Sequence, residues 1–332
     1  MSTKIKPSKG APYARILGVG GYRPVRVVPN EVILETIDSS DEWIRSRSGI
    51  ETRHWANDEE TVAAMSIEAS GKAIADAGIS AEQIGGVIVS TVSHFKQTPA
   101  VATEIADKLG TNKAAAFDIS AGCAGFGYGL TLAKGMIVEG SAEYVLVIGV
   151  ERLSDLTDLE DRATAFLFGD GAGAVVVGPA KEPHIGPTVW GSEGDKSDTI
   201  KQTVPWNEYD STGKFPAITQ EGQAVFRWAV FEMAKVAQQA LDAAGISPDD
   251  LDVFIPHQAN ERIIDSMVKT LKLPEHVTVA RDVRTTGNTS AASIPLAMER
   301  LLATGEAKSG DTALVIGFGA GLVYAATVVT LP

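Results

Sequence analysis

The sequence is poor in cysteine and in positive charge. It has one cysteine in 332 residues, which excludes a disulfide framework and a cluster of metal-binding thiolates. Lysine and arginine number 29 against 42 aspartates and glutamates, so the formal net charge is −13. Because nucleic acids and anionic membranes are bound by basic surfaces, this balance argues against both as partners.

Apolar targeting segments are also missing. The first seven residues carry charge but no apolar core follows them, so we expect no signal peptide and a cytoplasmic protein. Residues 312–332 carry no charge and are long enough to span a bilayer. However, three glycines interrupt this stretch and β-branched residues flank them, which favours two buried strands joined by a glycine turn.

The chain contains an internal repeat at about half its length. The segment 77–89 is similar to 244–255 with an offset of 167 residues (244 − 77), and 146–149 recurs at 314–317 with an offset of 168 (314 − 146). A length of 332 residues alone allows two units or one large α/β domain. Two independent matches at nearly the same offset favour two copies of one α/β design.

Each copy is predicted to consist of helix, turn, strand, helix and strand, with the halves at 1–180 and 181–332. Apolar periodicity and glycine stops predict helices at 61–77, 223–244, 260–272 and 291–303, and strands at 85–91, 144–150, 173–178, 251–256 and 312–317. Apolar strands separated by helices indicate a largely parallel sheet. The segment 181–222, rich in proline and glycine, is predicted to be an excursion between the halves.

The single cysteine, Cys123, lies on a turn of small residues between a predicted strand and a predicted helix. The N-terminus of a helix favours a thiolate, and small neighbours allow a substrate to approach, so Cys123 is a candidate nucleophile. A small hydrophobic core residue is the alternative interpretation, and the local sequence leaves both open.

Two further residues stand at related places in the second half. His257 follows a buried strand, and Asn288 lies in a turn that the offset of 168 matches to the turn of Cys123. A duplicated fold would bring all three together where the halves join, although a structural histidine and a capping asparagine remain alternatives. The other histidines lack metal-ligand spacing and the acidic run 155–161 reads as a solvated face, so no metal site is predicted.

Three motifs carry a resemblance to a known family. Ala121-Gly-Cys-Ala-Gly-Phe, His257-Gln-Ala-Asn and Gly287-Asn-Thr-Ser-Ala-Ala-Ser resemble the β-ketoacyl-[acyl-carrier-protein] synthase III family of thiolase-fold condensing enzymes, and actinobacterial members in particular. The resemblance extends from Asp41-Glu-Trp to the glycine turn at 317–321. It implies an α/β thiolase-like fold of two duplicated halves in five layers (αβαβα), in agreement with the repeat.

The resemblance also implies an activity. Members condense an acyl-CoA primer with malonyl-acyl carrier protein and so start type II fatty acid synthesis. Cys123 would carry the acyl group as a thioester, while His257 and Asn288 would donate hydrogen bonds to the enolate left by decarboxylation. Backbone N–H groups of Cys123 and Ala320 would form a second oxyanion hole, although other members carry glycine at the position of Ala320. Acyl-CoA is a substrate, and no cofactor is expected.

The same resemblance implies binding residues. Trp43, Arg47 and Arg162 match positions around the CoA adenine, and Asn260 matches one near the pantetheine arm. An acidic carrier protein would be repelled by the net charge, so a basic patch must dock it, and Arg227, Gln258, Arg262 and Lys269 are the candidates. Thr98 matches a position lining the acyl pocket across the interface of a homodimer. Where some members carry phenylalanine, threonine predicts room for branched primers such as isobutyryl-CoA beside acetyl-CoA.

Other functions remain as alternatives. A starter-unit condensing enzyme of a polyketide or other secondary-metabolite pathway would use the same motifs. A Cys-His-Asn thioester hydrolase would use the same three residues and release free acid, and a non-catalytic homologue would only bind carrier protein. Thiolases need a second catalytic cysteine and elongating synthases a second histidine, and this sequence has neither. The glycine-rich 168–175 precedes its strand, which argues against nucleotide binding.

Overall fold

Two five-stranded β-sheets form the centre of the computed structural model, which describes residues 5–209 and 215–332. Residues 1–4, on which part of the signal-peptide prediction falls, lie outside the described residues. The strands are β1 Tyr13–Tyr22, β2 Arg26–Pro29, β3 Thr52–Trp55, β4 Ile84–Ser90, β5 Ala115–Ile119, β6 Tyr144–Arg152, β7 Asp170–Ala180, β8 Val189–Ser192, β9 Ile200–Gln202, β10 Ile218–Gln220, β11 Val253–Pro256, β12 Thr278–Val279, β13 Thr312–Gly319 and β14 Val323–Thr330. The α-helices are α1 Asn30–Ile33, α2 Asp41–Ser48, α3 Val62–Asp76, α4 Val101–Leu109, α5 Gly125–Glu139, α6 Gly222–Ala244, α7 Glu261–Leu271, α8 Val283–Thr286 and α9 Ser293–Thr304.

The two sheets have the same strand order and the same strand directions. The order is β5-β4-β6-β7-β1 in the first sheet and β12-β11-β13-β14-β8 in the second. Smaller features repeat as well, since Ser80 and Ser247, 167 residues apart (247 − 80), each begin a capping box before a short 3-10 turn. The structure therefore has the duplicated design that the repeat predicts.

The prediction of a largely parallel sheet holds for four of the five strands in each sheet. Strands β7 and β14 run antiparallel to both of their neighbours. For β14 the reason is the connection, because the turn Ala320–Leu322 that joins it to β13 is too short for a parallel crossover. The uncharged stretch 312–332 thus forms two buried strands, as predicted, and among the described residues no helix is long and apolar enough to cross a membrane.

The core is divided into layers by the alternation of strand side chains. Val145 and Val147 point from β6 towards α5 and α9, which lie between the two sheets, whereas Leu146 and Ile148 point outwards to α3 and α4. Helices α6 and α7 cover the outer face of the second sheet in the same way. The result is the predicted order of five layers, helix, sheet, helix, sheet, helix.

Two glycines related by the repeat let the halves approach each other closely. A Cβ atom added to Gly149 in β6 would lie 2.1 Å from the carbonyl oxygen of Ala291, and one added to Gly317 in β13 would lie 2.8 Å from that of Cys123. Each strand therefore meets the turn that precedes the central helix of the other half. This contact explains why both copies of the repeated segment end in glycine.

The segment 181–222 is partly structured. It contributes β8 to the second sheet and forms the separate pair β9–β10, with residues 210–214 outside the described part. The boundary predicted at 180/181 falls between β7 and β8, and the division into domains 1–180 and 181–332 stays a prediction.

Gly149→Ala should destabilise the fold, because its methyl group would overlap backbone atoms of the other half. We expect the free energy of unfolding to fall by about 1–3 kcal/mol, the usual cost of overpacking a rigid site. Gly135→Ala on α5 is the matched control, since nothing lies within 4 Å of its added Cβ. It should leave stability unchanged or raise it by up to about 1 kcal/mol in a helix. Equal urea midpoints for the two variants would contradict the proposed contact.

Candidate active site

Cys123 lies in the wall of a cavity of about 500 Å³ at the join of the halves. Strand β5 ends at Ile119, and the 3-10 turn Gly122–Ala124 leads directly into α5, as the sequence predicts. Gly122 adopts φ 46°, a left-handed conformation that favours glycine. Gly319 packs against the thiol, because a Cβ atom added there would be 2.9 Å from Sγ.

The surroundings of the thiol favour its protonated form. Cys123 is partly exposed to the cavity, yet burial raises the pKa of its thiol to about 12, and a smaller opposing effect of the Ser290 hydroxyl does not reverse this. The prediction that the helix N-terminus yields a thiolate is therefore wrong for the resting site. Burial is the largest of the effects that shift this pKa, and it disfavours the charged form.

His257 is buried at the end of β11 and is neutral. Burial lowers its pKa to about 3. Its Nδ1 atom lies 2.7 Å from Ser293 Oγ, which also accepts a hydrogen bond of 3.3 Å from the Gln258 N–H. A Ser293 hydroxyl that donates to Nδ1 leaves the imidazole proton on Nε2, and we expect this tautomer because it lets the ring donate a hydrogen bond into the cavity.

Asn288 is held so that its amide nitrogen is the group left to face the cavity. Its Oδ1 accepts a hydrogen bond of 2.9 Å from the Ser290 N–H. Its backbone is fixed between two residues, donating to the Leu167 carbonyl at 2.9 Å and accepting from the Gly169 N–H at 3.0 Å. The cavity therefore presents a thiol and two neutral hydrogen-bond donors, and the structure brings the three predicted catalytic residues together.

Ala320 also lies beside the cysteine turn. A Cβ atom added to Gly122 would be 3.3 Å from the Ala320 nitrogen, and Ala320 lines the same cavity as Cys123. The left-handed conformation in this turn is taken by Gly321, at φ 88°, and not by Ala320. The turn can therefore hold an alanine where the resemblance leads us to expect glycine, because the backbone at position 320 does not require glycine.

A second cavity, of about 600 Å³, adjoins the first and opens towards the surface. It is lined by the residues predicted for CoA and carrier binding at Trp43, Arg47, Arg227, Asn260 and Arg262. Asn288, Ala259 and Ile263 belong to the walls of both cavities. An extended ligand can therefore pass from a basic outer cavity into the inner one that holds Cys123.

Two arginines flank the indole of Trp43. The guanidinium carbon of Arg162 lies 5.0 Å from a ring centroid of Trp43, and that of Arg47 lies 5.9 Å from it. Asn260 caps the N-terminus of α7 and donates to the Arg47 carbonyl at 2.9 Å, so it ties this cluster to the second half. The four residues predicted for CoA binding are thus neighbours.

The structure corrects the prediction for Gln258 as a docking residue. Its side chain is buried, donates to the carbonyls of Pro256 and Ala280 at 2.7 and 3.2 Å, and accepts from the Val283 N–H at 3.1 Å. It holds the loop after β11 and cannot reach a partner. The other candidates, Arg227, Arg262 and Lys269, are exposed, and Lys269 lies outside both cavities.

Thr98 is exposed and does not line the inner cavity of its own chain. The nearby positions that do line it are His94, Lys96 and Gln97. Its predicted role at the acyl pocket therefore depends on a second copy of the chain. Among the described residues, no group of three or more histidine, cysteine, aspartate or glutamate side chains is arranged to hold a metal ion.

Three residues of the site are missing from the predictions made on sequence. Ser293 orients His257, Ser290 lies beside the thiol, and Glu151 is buried behind Ser290. Both serines belong to the motif that contains Asn288, so its density of small hydroxyl residues is a usable signal. Nothing in the sequence marks Glu151 as a site residue, because a glutamate at the end of an apolar strand is expected to be the exposed end of that strand.

Comparison with known proteins agrees with the site. Models of the 3-oxoacyl-[acyl-carrier-protein] synthase III family and of its C-terminal part match residues 117–194 and 241–331. A Streptomyces glaucescens protein named beta-ketoacyl-[acyl-carrier-protein] synthase III is 91% identical over 332 residues, which cover 99% of this chain and 100% of that protein. The chain belongs to the β-ketoacyl-[acyl-carrier-protein] synthase III family.

More distant members of the synthase III family extend the agreement to the fold. A Mycobacterium marinum relative is 55% identical over 99% of both chains. The solved synthase III of Aquifex aeolicus has a TM-score of 0.88 at 38% identity, covering 96% of this chain and 99% of that one. A priming β-ketosynthase of a polyketide pathway has a TM-score of 0.96 at 44% identity, covering 100% and 99%. The predicted family and thiolase-like fold are confirmed.

The protonation state of His257 gives a direct test of this site. Because burial lowers its pKa to about 3, the imidazole should stay neutral, with its proton on Nε2, from pH 8 down to pH 5. Nitrogen NMR shifts distinguish the tautomers. Ser293→Ala should mix the two tautomers, because Nδ1 loses its donor, whereas Ser66→Ala, which removes another buried helical hydroxyl, should not. An imidazole that protonates near pH 6.5 would contradict the assignment.

The same pKa shift determines how the stability of the fold depends on pH. An unfolded histidine binds a proton near pH 6.5, whereas folded His257 does so only near pH 3. Its contribution to the free energy of unfolding is therefore fully present above pH 6.5 and is lost as the pH falls from 6.5 towards 3.

Proposed function

We propose that this chain is a β-ketoacyl-[acyl-carrier-protein] synthase III that condenses a short acyl group from acyl-CoA with malonyl-acyl carrier protein and so starts type II fatty acid synthesis. The observation that carries the proposal is one cavity whose wall contains a single thiol and two neutral donors. Relatives that are 91% and 87% identical over nearly the whole chain bear this enzyme's name. Such an enzyme of cytoplasmic fatty acid synthesis needs no membrane segment, nucleic acid or cofactor.

In the first half-reaction Cys123 attacks the thioester carbonyl of acyl-CoA. The S–C bond to Cys123 forms, the bond to the CoA sulfur breaks, and the acyl group stays on the enzyme. A negative charge develops on the carbonyl oxygen, and the backbone N–H groups of Cys123 and Ala320 are the proposed donors to it. Their support is the close packing of the 319–321 turn against the cysteine.

In the second half-reaction malonyl-acyl carrier protein loses carbon dioxide and leaves an enolate. His257 Nε2–H and Asn288 Nδ2–H are the proposed donors to its oxygen, and such preorganised donors contribute about 3–4 kcal/mol each to lowering a barrier. A neutral imidazole suits this task, because it donates without giving up its proton to the enolate. The enolate carbon then attacks the acyl-Cys123 carbonyl, the new C–C bond forms, and the thiolate leaves.

The outer cavity suits the nucleotide part of CoA. Arg162 and Trp43 offer flat surfaces on which a purine stacks, and Arg47 is within reach of a phosphate. Asn260 lies where the pantetheine arm passes inwards. The shared wall at Asn288 then leads the thioester to Cys123.

An acidic carrier protein is proposed to dock on the basic residues around this opening. Arg227 and Arg262 line the outer cavity, and Lys269 lies seven residues beyond Arg262 on α7 (269 − 262), so the two point to one side of the helix. Because the enzyme has a net charge of −13, this patch must offset a general repulsion.

A homodimer is proposed from the exposed aromatic residues at the rim of the inner cavity. Phe95 lies 5.1 Å from Trp206 and 5.3 Å from Phe215 between ring centroids, and all three rings are exposed although Trp206 also lines the cavity. A second copy that covers this patch would place the nearby Thr98 at its partner's acyl pocket. A monomeric mass by analytical ultracentrifugation at micromolar concentration would contradict this proposal.

A starter-unit condensing enzyme of a polyketide pathway is the second candidate. The priming β-ketosynthase supports it through a TM-score of 0.96, but at 44% identity it is more distant than the Streptomyces synthase III relatives at 91% and 87%. A thioester hydrolase is less well supported, because the relatives that are 91% and 87% identical over nearly the whole chain bear a synthase name. Analysis of the products of condensation separates these functions.

Incubation with a set of acyl-CoAs, followed by intact mass measurement, tests the acyl-enzyme. We expect a stable acyl adduct from acetyl-CoA and isobutyryl-CoA, and none in Cys123→Ala. His257→Ala and Asn288→Ala should still be acylated but should condense about 100-fold to 1000-fold more slowly, the cost of one lost oxyanion donor. An adduct that persists without Cys123 would contradict the mechanism. Release of free acid alone would indicate a hydrolase, and a strong preference for acetyl-CoA would contradict the roomy pocket.

Lys269→Glu tests carrier docking. Reversing this charge should raise the KM for malonyl-acyl carrier protein about tenfold, an effect that grows at low salt, while the rate of Cys123 acylation stays unchanged. Lys108→Glu is the matched control, because Lys108 is equally exposed on α4, in the outer layer of the other half. Equal KM values for the two variants would show that Lys269 is not at the docking surface.

A further inference from the structure

Glu151 is a fully buried carboxyl group that the proposed mechanism does not use. It lies near the end of β6. Its Oε2 atom accepts hydrogen bonds from Ser93 Oγ at 2.7 Å, the Val92 N–H at 3.1 Å and Thr91 Oγ1 at 3.3 Å. Its Oε1 atom is buried without a hydrogen-bond partner among the described residues. A buried oxygen without a hydrogen-bond partner is costly, so the position of Glu151 Oε1 calls for an explanation.

Ser290 stands between Glu151 and the nucleophile. Its hydroxyl is close enough to the Cys123 thiol and to the Glu151 carboxyl group to lower the pKa of both, although it completes no hydrogen bond to Glu151 Oε1 in the resting structure. Ser290 has φ 48°, a conformation that non-glycine residues rarely adopt, and it lines the inner cavity. The backbone is thus held in a strained form that puts a hydroxyl group beside the thiol.

We propose that Glu151 is the proton acceptor for Cys123 and that the Ser290 hydroxyl carries the proton between them. Formation of the acyl-enzyme requires the thiol to lose its proton as the new S–C bond forms. Ser290 Oγ accepts that proton and passes its own to Glu151 Oε1. Glu151 acts through Ser290 and touches no substrate, so it is a positioning residue of the relay.

The relative basicity of the two groups near the thiol favours this direction. Burial raises the pKa of Glu151 to about 7, against the lowering effect of its three donors, whereas burial lowers the pKa of His257 to about 3. Of these two, Glu151 is much the better proton acceptor near neutral pH. His257 then keeps one role, that of donor to the enolate.

The proton balance closes over the full cycle. In the first half-reaction Glu151 becomes protonated, and the departing CoA thiolate takes a proton from solvent. In the second, the Cys123 thiolate that leaves the β-keto product recovers the proton from Glu151 through Ser290. Each turnover consumes one proton from solvent, as the overall conversion to free CoA, carbon dioxide and product requires.

Few other charged groups face Glu151. Arg152, the next residue on the strand, points to the opposite face and pairs with Asp155 at 2.9 Å. Asp170, in register with Arg152 on β7, points the same way and accepts from the Ala56 and Ser154 backbones. On the cavity side Cys123 faces it, since the charge of Glu151 raises the pKa of that thiol, and the adjoining cavity is also lined by the titratable side chains of His94, Lys96, Asp118, Lys201 and His257.

The relay rests on the proposed acyl transfer, and the rate of Cys123 acylation by acetyl-CoA between pH 5.5 and 9, read by intact mass, tests it. In the wild-type protein the rate should rise with pH to a plateau with a midpoint near 7. Glu151→Gln, which keeps an oxygen for the three donors, should acylate about 100-fold more slowly, as expected on loss of general-base assistance, and should lose this midpoint. Ser290→Ala should do the same.

Asp170→Asn is the matched control, because Asp170 is also buried, with a pKa raised by burial to about 6, but lies on the other face of the sheet. It should lower the melting temperature and keep the wild-type pH profile. Wild-type rates and midpoint in Glu151→Gln would overturn the relay, as would faster acylation, which would mean that Glu151 only suppresses the thiolate. If Glu151→Gln fails to fold, Ser290→Ala decides, since Ser290 donates none of the three bonds to Oε2. No acylation of the wild-type protein would instead contradict the proposed function.

Discussion

The site depends on the close approach of two strand ends to two turns. Gly149 and Gly317 each remove a side chain where one half meets the backbone of the other, so the turns before α5 and α9 pack together. Cys123 comes from the first turn, and Asn288 and Ser290 come from the region of the second. His257 joins them because β11 ends beside β13. A single backbone contact, used twice, therefore sets the positions of groups that are more than 130 residues apart in sequence (257 − 123).

Burial then shifts the pKa of three titratable groups at the site, Cys123, His257 and Glu151. The thiol is protonated, the imidazole is neutral, and the carboxyl group of Glu151 titrates near neutral pH, because each loses the solvation that would stabilise its usual ionised form. An enolate or a tetrahedral oxyanion is therefore the main charge that develops in the cavity. In a low-dielectric site a fixed donor acts strongly on such a charge, since water does not compete for it.

The sequence was informative about the fold wherever a pattern was repeated or periodic. The offset of 167–168 residues, the glycine turn at 317–321 and the small-residue turn of Cys123 all predicted correct structures. Two predictions failed for a shared reason: the buried Gln258 and the protonated Cys123 each depend on what packs nearby in space. Glu151 was not predicted for the same reason, because the strands and turns that bury it lie far away in the chain.

The two adjoining cavities have a consequence for selectivity that follows from length alone. Trp43 and the arginines beside it stand at the outer cavity, whereas the sulfur of Cys123 stands in the inner one, and Asn288 belongs to the walls of both. Under the proposed function, a molecule gains the binding energy of the outer site and reaches the inner one only if a long, thin arm joins its two ends. The length of that arm would then contribute to selectivity, because a small thioester without it would lack the binding energy of the outer site.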